Sequence, residues 1–187
     1  DGGNGLPELF KEEALGQIKD WVNEGGTLIA TEGAVSFFTK ELSDFTEISL
    51  KEYPKDSSLM ARSLPYDQRT AYEGKKRIPG TALNAKIDIT HPLAFGLKAE
   101  LYTLKFGTDA LVPNAGLETV GSYEKLNQLN VAGYASPDNL GHLAENTFAG
   151  VVSLGRGKVV YLIDNTQYRM FWMGPSRMMQ NAVMQIP

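Results

Sequence analysis

Apolar residues fall into short, sharply bounded runs along this chain, and their spacing switches between a helical and a strand period. Residues 8 to 24 place Leu9, Phe10, Ile18, Trp21 and Val22 near one face and charges on the other. This is the pattern of an amphipathic helix, with Gly25-Gly26 as its stop. Thr27 to Ala30 reads as a short buried strand, Thr31-Glu32-Gly33 as a tight turn and Ala34 to Leu42 as a second helix. Helix, Gly-Gly, strand, Gly turn, helix is the order of a doubly wound α/β fold.

The middle of the chain is less regular. Thr46 to Leu50 predicts a strand, Lys51 to Leu64 a loop, Tyr66 to Lys76 a charged, exposed helix and Thr81 to Ile89 an alternating strand. Thr90-His-Pro-Leu-Ala-Phe-Gly96 turns the chain, because Pro92 lacks an amide donor and restrains its predecessor. From Leu101 strands dominate, at 102–106, 118–123, 130–134, 148–154 and 158–163, with a short helical turn over Ser136 to Leu140. Gly155-Arg156-Gly157 joins the last two strands as a β-hairpin. Ser176 to Met184 closes as a helix offering Met178, Met179, Val183 and Met184 for packing.

The apolar run Lys158 to Ile163 stops abruptly at Asp164-Asn165, and Tyr168, Arg169, Phe171 and Trp172 follow. In open α/β sheets, ligands and catalysis sit just beyond the carboxyl ends of such strands. Chemistry is therefore expected here, although the residues present are not an obvious catalytic set.

Composition narrows what that chemistry is. With 187 residues, 42% of them hydrophobic and 21% charged, the chain has the make-up of one globular domain, residues 1 to 187, with a real core. A net charge of -4 argues against a nucleic-acid surface, and the longest apolar runs fall far short of a membrane span. The chain opens on Asp-Gly-Gly-Asn-Gly without a Met, which reads as a fragment of a longer protein, so a missing targeting segment excludes nothing. The absence of cysteine excludes disulfides, thiolate metal sites and a Cys nucleophile. The two histidines, His91 and His142, show no His-x-x-Glu or His-Glu-x-x-His spacing, so no metal site is expected. His91, between Thr90 and Pro92, reads as a turn or packing residue, and His142, in a polar segment, as solvated. Lys75-Lys76-Arg77 reads as a solvated helix end.

Several segments resemble a known family. Trp21-Val-x-x-Gly-Gly-Thr-Leu-Ile29 resembles the strand leading to the nucleophile elbow of class I glutamine amidotransferase-like domains. Ile78-Pro-Gly80, Ile87-Asp-x-Thr-His-Pro-Leu-Ala-Phe-Gly96, Gly155-x-Gly-Lys-Val-Val160, Arg169-x-Phe-Trp172 and Asn181-Ala182 are more specific. Together they resemble the amidotransferase-like domain at the C-terminus of large bacterial zinc carboxypeptidases, from about residue 15 to the end with gaps near 51–65 and 107–130. The resemblance implies a three-layer, flavodoxin-like α/β domain whose first strands are missing or shortened, with a strand-rich C-terminal half. It implies a periplasmic or extracellular parent whose zinc lies in an upstream peptidase domain, which would be this domain's partner. No cofactor is expected in the domain itself.

The family's own machinery is absent. A class I amidotransferase needs Cys at the elbow and His-x-Glu after a late strand. This chain carries Thr31-Glu32-Gly33-Ala34 at the first place and Asp164-Asn165-Thr166 at the second. No Gly-x-Ser-x-Gly elbow supports a serine hydrolase either. Glu32 is a conceivable carboxylate nucleophile or base, but a helix N-terminus would favour its ionised form, poor tuning for a base near neutrality. Structural pairing, with Arg169 as partner, is the favoured reading. Thr31, Glu32, Asp164, Asn165 and Arg169 are thus the candidate ligand-binding set, Arg169 through a bidentate contact to a carboxylate. Against this, Asp164-Asn165 fits an Asx turn and Arg169 fits stacking on Trp172. Tyr168, Phe171 and Trp172 form a docking surface if exposed and core if buried. The expectation is a non-catalytic accessory domain, with a small-ligand-binding module as the alternative and an independent hydrolase last.

Overall fold

The computed structural model describes residues 10, 12–53, 62–170 and 172–186. It is a mixed α/β structure built on a seven-stranded, mostly antiparallel sheet. The strands are β1 (Thr27–Thr31), β2 (Thr81–Ile87), β3 (Glu100–Lys105), β4 (Glu118–Tyr123), β5 (Asn130–Gly133), β6 (Thr147–Leu154) and β7 (Gly157–Leu162). They lie in the order β1-β7-β6-β4-β2-β3, with β5 paired to β2. Only β1 and β7 run parallel, Ala30 opposite Tyr161. The described helices are α1 (Glu12–Asn23), α2 (Gly33–Phe37), α3 (Lys40–Ser43), α4 (Tyr66–Lys75), α5 (Leu126–Leu129), α6 (Pro137–Leu143) and α7 (Met173–Met184).

Local chemistry accounts for the boundaries. Leu15, Ile18 and Val22 give α1 its apolar face, and Phe10, ahead of the helix, packs against the same cluster. Its end is a Schellman closure: Gly26 N–H reaches the Trp21 carbonyl, Gly25 N–H reaches that of Val22, and Gly25 takes φ 122. β6 and β7 join through the two residues Gly155-Arg156, with Gly155 at φ 60, and so must run antiparallel. This is also why the doubly wound order read near the N-terminus does not continue. Parallel pairing needs a crossover of a dozen or more residues, and the later strands follow one another too closely.

β7 organises the core. Val160 and Leu162 enter one apolar cluster, with Leu83, Val120, Phe148 and Met178, while Val159, Tyr161 and Ile163 enter another, with Val22, Phe38 and Phe45. Alternation along an extended strand sends neighbours to opposite faces, so one strand feeds both clusters. The buried Tyr161 hydroxyl donates to the Phe38 carbonyl at 2.6 Å and meets Thr46 Oγ1 at 2.7 Å. Burial pushes its pKa up to about 12.

Some expectations change. Residues 34–42 form two short helices rather than one, broken where Thr39 Oγ1 bonds the Ser36 carbonyl at 2.7 Å. Thr46 to Leu50 forms no strand, and Leu50 makes an isolated bridge to Leu111. Most of the predicted 51–64 loop, like Leu9, lies outside the described residues. α7 starts three residues before Ser176, and Asn181 Nδ2 donates to the Leu93 and Phe95 carbonyls, both at 2.9 Å. Two of the segments that carried the family resemblance are thus one packing contact.

Candidate functional site

The carboxyl ends of β1 and β7 form a small polar cavity. Thr31 pairs with Leu162, and the next amide, Glu32 N–H, donates to the Leu162 carbonyl at 2.9 Å. Glu32 itself adopts φ 49, ψ −129, a strained conformation for a residue with a Cβ, and Gly33 opens α2 immediately after it. The chain therefore makes an elbow here, with Glu32 at its point. Glu32, Gly33, Phe106, Asp109, Ile163 and Asn165 line a cavity of about 130 Å³.

Asp164 does not face that cavity. It is only 2% exposed and is held by three donors: Thr103 Oγ1 at 2.7 Å, Tyr123 OH at 2.7 Å and Lys105 Nζ at 3.0 Å. Lys105 is fully buried and also donates to the Asp109 carbonyl. β6, β4 and β2 separate β7 from β3 in the sheet order. In a flat sheet, with strands ~4.8 Å apart, that would put them roughly 19 Å apart. Direct bonds between their ends mean that the sheet curls until β3 reaches over the end of β7. Burial first, and the Asp164 charge second, hold the Tyr123 phenol well above its ordinary pKa, so it stays protonated and donates.

Of the other candidate residues, Asn165 accepts from Gln167 N–H at 3.0 Å, closing an Asx turn. Thr31 is a half-buried strand end. Arg169 points elsewhere: at φ 49 it lies with its guanidinium 5.3 Å from the Tyr168 ring, not on Trp172, and no ion pair joins it to Glu32 among the described residues. The Tyr168 ring in turn stands 5.5 Å from Phe106. Tyr168 and Trp172 are half-buried, and Phe171 lies outside the described residues. The exposed apolar residues next to them are Met170 and Met173.

The fold thus brings Glu32 and Asn165 together and adds Asp109 and Phe106, which the sequence reading passed over. Both come from the segment after β3, where nothing in local pattern signals an approach to residue 32. His91 is a turn residue, its Nδ1 accepting from Leu93 N–H at 3.0 Å. His142 is buried rather than solvated, because α6 turns it toward Tyr53, ring to ring at 4.9 Å. Neither histidine lines the elbow cavity. Among the described residues no group of three or more His, Cys, Asp or Glu is arranged to hold a metal ion. None of the described helices is long and apolar enough to cross a membrane.

Comparison with solved structures places the fold. The chain is similar to Cytoplasmic Protein STM3548 from Salmonella typhimurium, with a TM-score of 0.54 at 16% identity over 97% of this chain and 63% of that one. The chain therefore spans less than two thirds of that structure's length. Looser neighbours include a ThuA-like protein from Bacteroides uniformis ATCC 8492, with a TM-score of 0.47, 13% identity and coverage of 97% and 64%. Another is a beta-galactosidase from Bacillus circulans sp. alkalophilus, at 0.46, 12%, 92% and 20%. No protein-family profile matches the chain, and no curated protein does.

Proposed function

We propose that this chain is a non-catalytic, amidotransferase-like accessory domain that docks onto a neighbouring domain. The observation that carries the reading is Asp164. At the end of β7, Asp164 is locked under three donors, one of them its ion-pair partner Lys105. The elbow residue beside it is Glu32, with neither histidine within the cavity. At about 130 Å³ that cavity is smaller than the 300–1,000 Å³ of organic-ligand sites, which counts against the small-ligand reading there.

The finer parts of the proposal rest on the sequence resemblance. They are a three-layer flavodoxin-like core, supported by the two apolar clusters fed from β7, and a place beside the peptidase domain of a periplasmic or extracellular zinc carboxypeptidase. Zinc would belong to that peptidase domain. Two experiments test the reading. The purified chain should release no ammonia from glutamine and hydrolyse no activated ester above buffer, and a hydrolysis that disappears in folded Glu32→Gln overturns it. The coding sequence upstream of Asp1 should encode a His-x-x-Glu motif with a later His, and its absence overturns the carboxypeptidase context.

A further inference from the structure

His91 stands at the head of a single 3-10 turn, Pro92–Ala94, between β2 and β3. Side chains fix this turn from two directions. At its start His91 Nδ1 accepts from Leu93 N–H at 3.0 Å, the task that Ser or Asp ordinarily performs at a helix N-cap. From the other direction Asn181 of α7 donates Nδ2 to the Leu93 and Phe95 carbonyls, both at 2.9 Å. Leu93 and Ala94 are buried in the same apolar cluster as Met178 and Ala182 of that helix. The turn is therefore the piece through which His91 reaches α7.

An imidazole cap differs from a hydroxyl cap because a proton switches it off. A ring nitrogen accepts a hydrogen bond only while it carries no hydrogen. Acceptance at Nδ1 puts the one N–H of neutral His91 on Nε2, which donates to Glu118 Oε2 of β4 at 3.3 Å. A second proton then goes to Nδ1 itself. Two N–H groups face each other, and Leu93, a residue with no exposed surface, loses the acceptor of its amide. The imidazolium gains charged company in exchange. Glu118 faces Nε2, and the Asp88 carboxylate, three positions back in the chain, lies close enough to interact with the ring's charge. α7, packed on the turn, brings Arg177 to its far end, beside Gly96 and Leu97. The His91 side chain is 14% exposed, so a proton reaches it from solvent without unfolding.

We propose that His91 is a proton-operated latch on the turn Pro92–Ala94. Neutral, it holds the turn against α7. Protonated, it exchanges the Leu93 bond for a charge-strengthened contact with Glu118, and the turn shifts against the helix. Imidazole is the side chain whose charge ordinarily changes between about pH 5 and 8, so the latch responds within the range that cellular compartments span. Its consequence is for docking, because the exposed Met173 and Met184 belong to the helix that Asn181 ties to the turn. That consequence rests on the accessory role proposed above. The latch itself is a property of the isolated chain and is tested there.

NMR of the isolated chain, titrated from about pH 8 to about pH 5, is the experiment. The ring nitrogen shifts of neutral His91 should be those of the Nε2–H tautomer. As the ring titrates, the Leu93 backbone amide and the Asn181 side-chain amide should move along the same curve as the His91 ring signals. His91→Asn, whose Oδ1 caps without titrating, should hold the Leu93 amide in place across the range. His91→Phe should let that amide exchange with solvent about tenfold faster than in the wild-type chain at the alkaline end, the loss of about one hydrogen bond. An Nδ1–H tautomer overturns the proposal, as does a Leu93 amide that ignores the ring's titration or follows the same curve in His91→Asn. So does an Asn181 side chain that stays fixed while Leu93 moves, because the latch then ends at the turn. None of these outcomes bears on whether the α7 face docks, so failure of the latch and failure of the accessory reading are separable.

Discussion

Asp164 and Lys105 form an ion pair with almost no access to water, at 3.0 Å with side chains 1% and 0% exposed. Taking two charges out of water costs more than their attraction returns unless every remaining lone pair is bonded, and here Thr103 and Tyr123 complete the carboxylate. Removing one partner leaves the other charged and buried. Lys105→Met or Asp164→Asn is therefore expected to lower unfolding free energy by about 3–5 kcal/mol, measured by urea titration. Replacing both, as Lys105→Met with Asp164→Leu, should recover part of that loss, and a single-variant cost near zero would show that the pair is not the anchor described. The same residue shows where sequence reading ran out. The abrupt end of an apolar strand singles out Asp164 in the sequence. Its partners, however, lie 61, 59 and 41 positions away, at Thr103, Lys105 and Tyr123, and only the curl of the sheet brings them together. Glu32 was readable as the elbow residue because strand, turn and Gly are adjacent in the chain. Asp109, its neighbour across the cavity, comes from a loop that no local pattern links to it.

At the scale of elements, α1 seats its C-terminal end on the β6–β7 hairpin through backbone contact. A Cβ on Gly157 would stand 2.1 Å from the Val22 carbonyl oxygen and 2.2 Å from that of Gly26. Backbone atoms cannot move aside as a flexible side chain does, so Gly157→Ala should cost about 3 kcal/mol, at the upper end of overpacking penalties. Gly16, inside the same helix, has nothing within 4 Å of such a Cβ. Gly16→Ala should instead stabilise by ~1 kcal/mol, the helix-propensity difference. Opposite shifts of the denaturation midpoint are the check, and a neutral Gly157→Ala would mean that the helix does not rest on the hairpin. Strands were the readable part of this chain, since β4, β6 and β7 follow from apolar runs bounded by turn residues, within a residue of their observed ends. Short helices were not. The break between α2 and α3 depends on Thr39 bonding back to Ser36, and α5 is a single turn held by its neighbours. Propensity is too weak to set structure at that length.

At the scale of the whole molecule, the outer side of α7 carries exposed apolar side chains. The sequence offered the methionines of this helix as packing groups. Curl of the sheet admits Met178 to the core at 0% exposure, but leaves Met173 at 75% and Met184 at 78%, with Met170 and Val183 beside them. An apolar surface of this kind, built from adaptable thioethers and adjoining the Tyr168–Trp172 segment, is what an accessory domain would press against its neighbour. Thioether oxidation reports exposure directly, because peroxide reaches only accessible sulfur. In the isolated chain, Met170, Met173 and Met184 should oxidise at rates close to free methionine while Met178 resists, as read by peptide mass spectrometry. If the chain belongs to a longer protein as proposed, Met170, Met173 and Met184 should become protected there as well, and Met173→Glu should abolish that protection at Met170 and Met184 without changing the Tm of the isolated domain. Equal oxidation of the three in both contexts would remove this face as the docking surface. Resistance of Met173 in the isolated chain would mean that a second copy already covers it, and sedimentation of the same sample would then give a dimer.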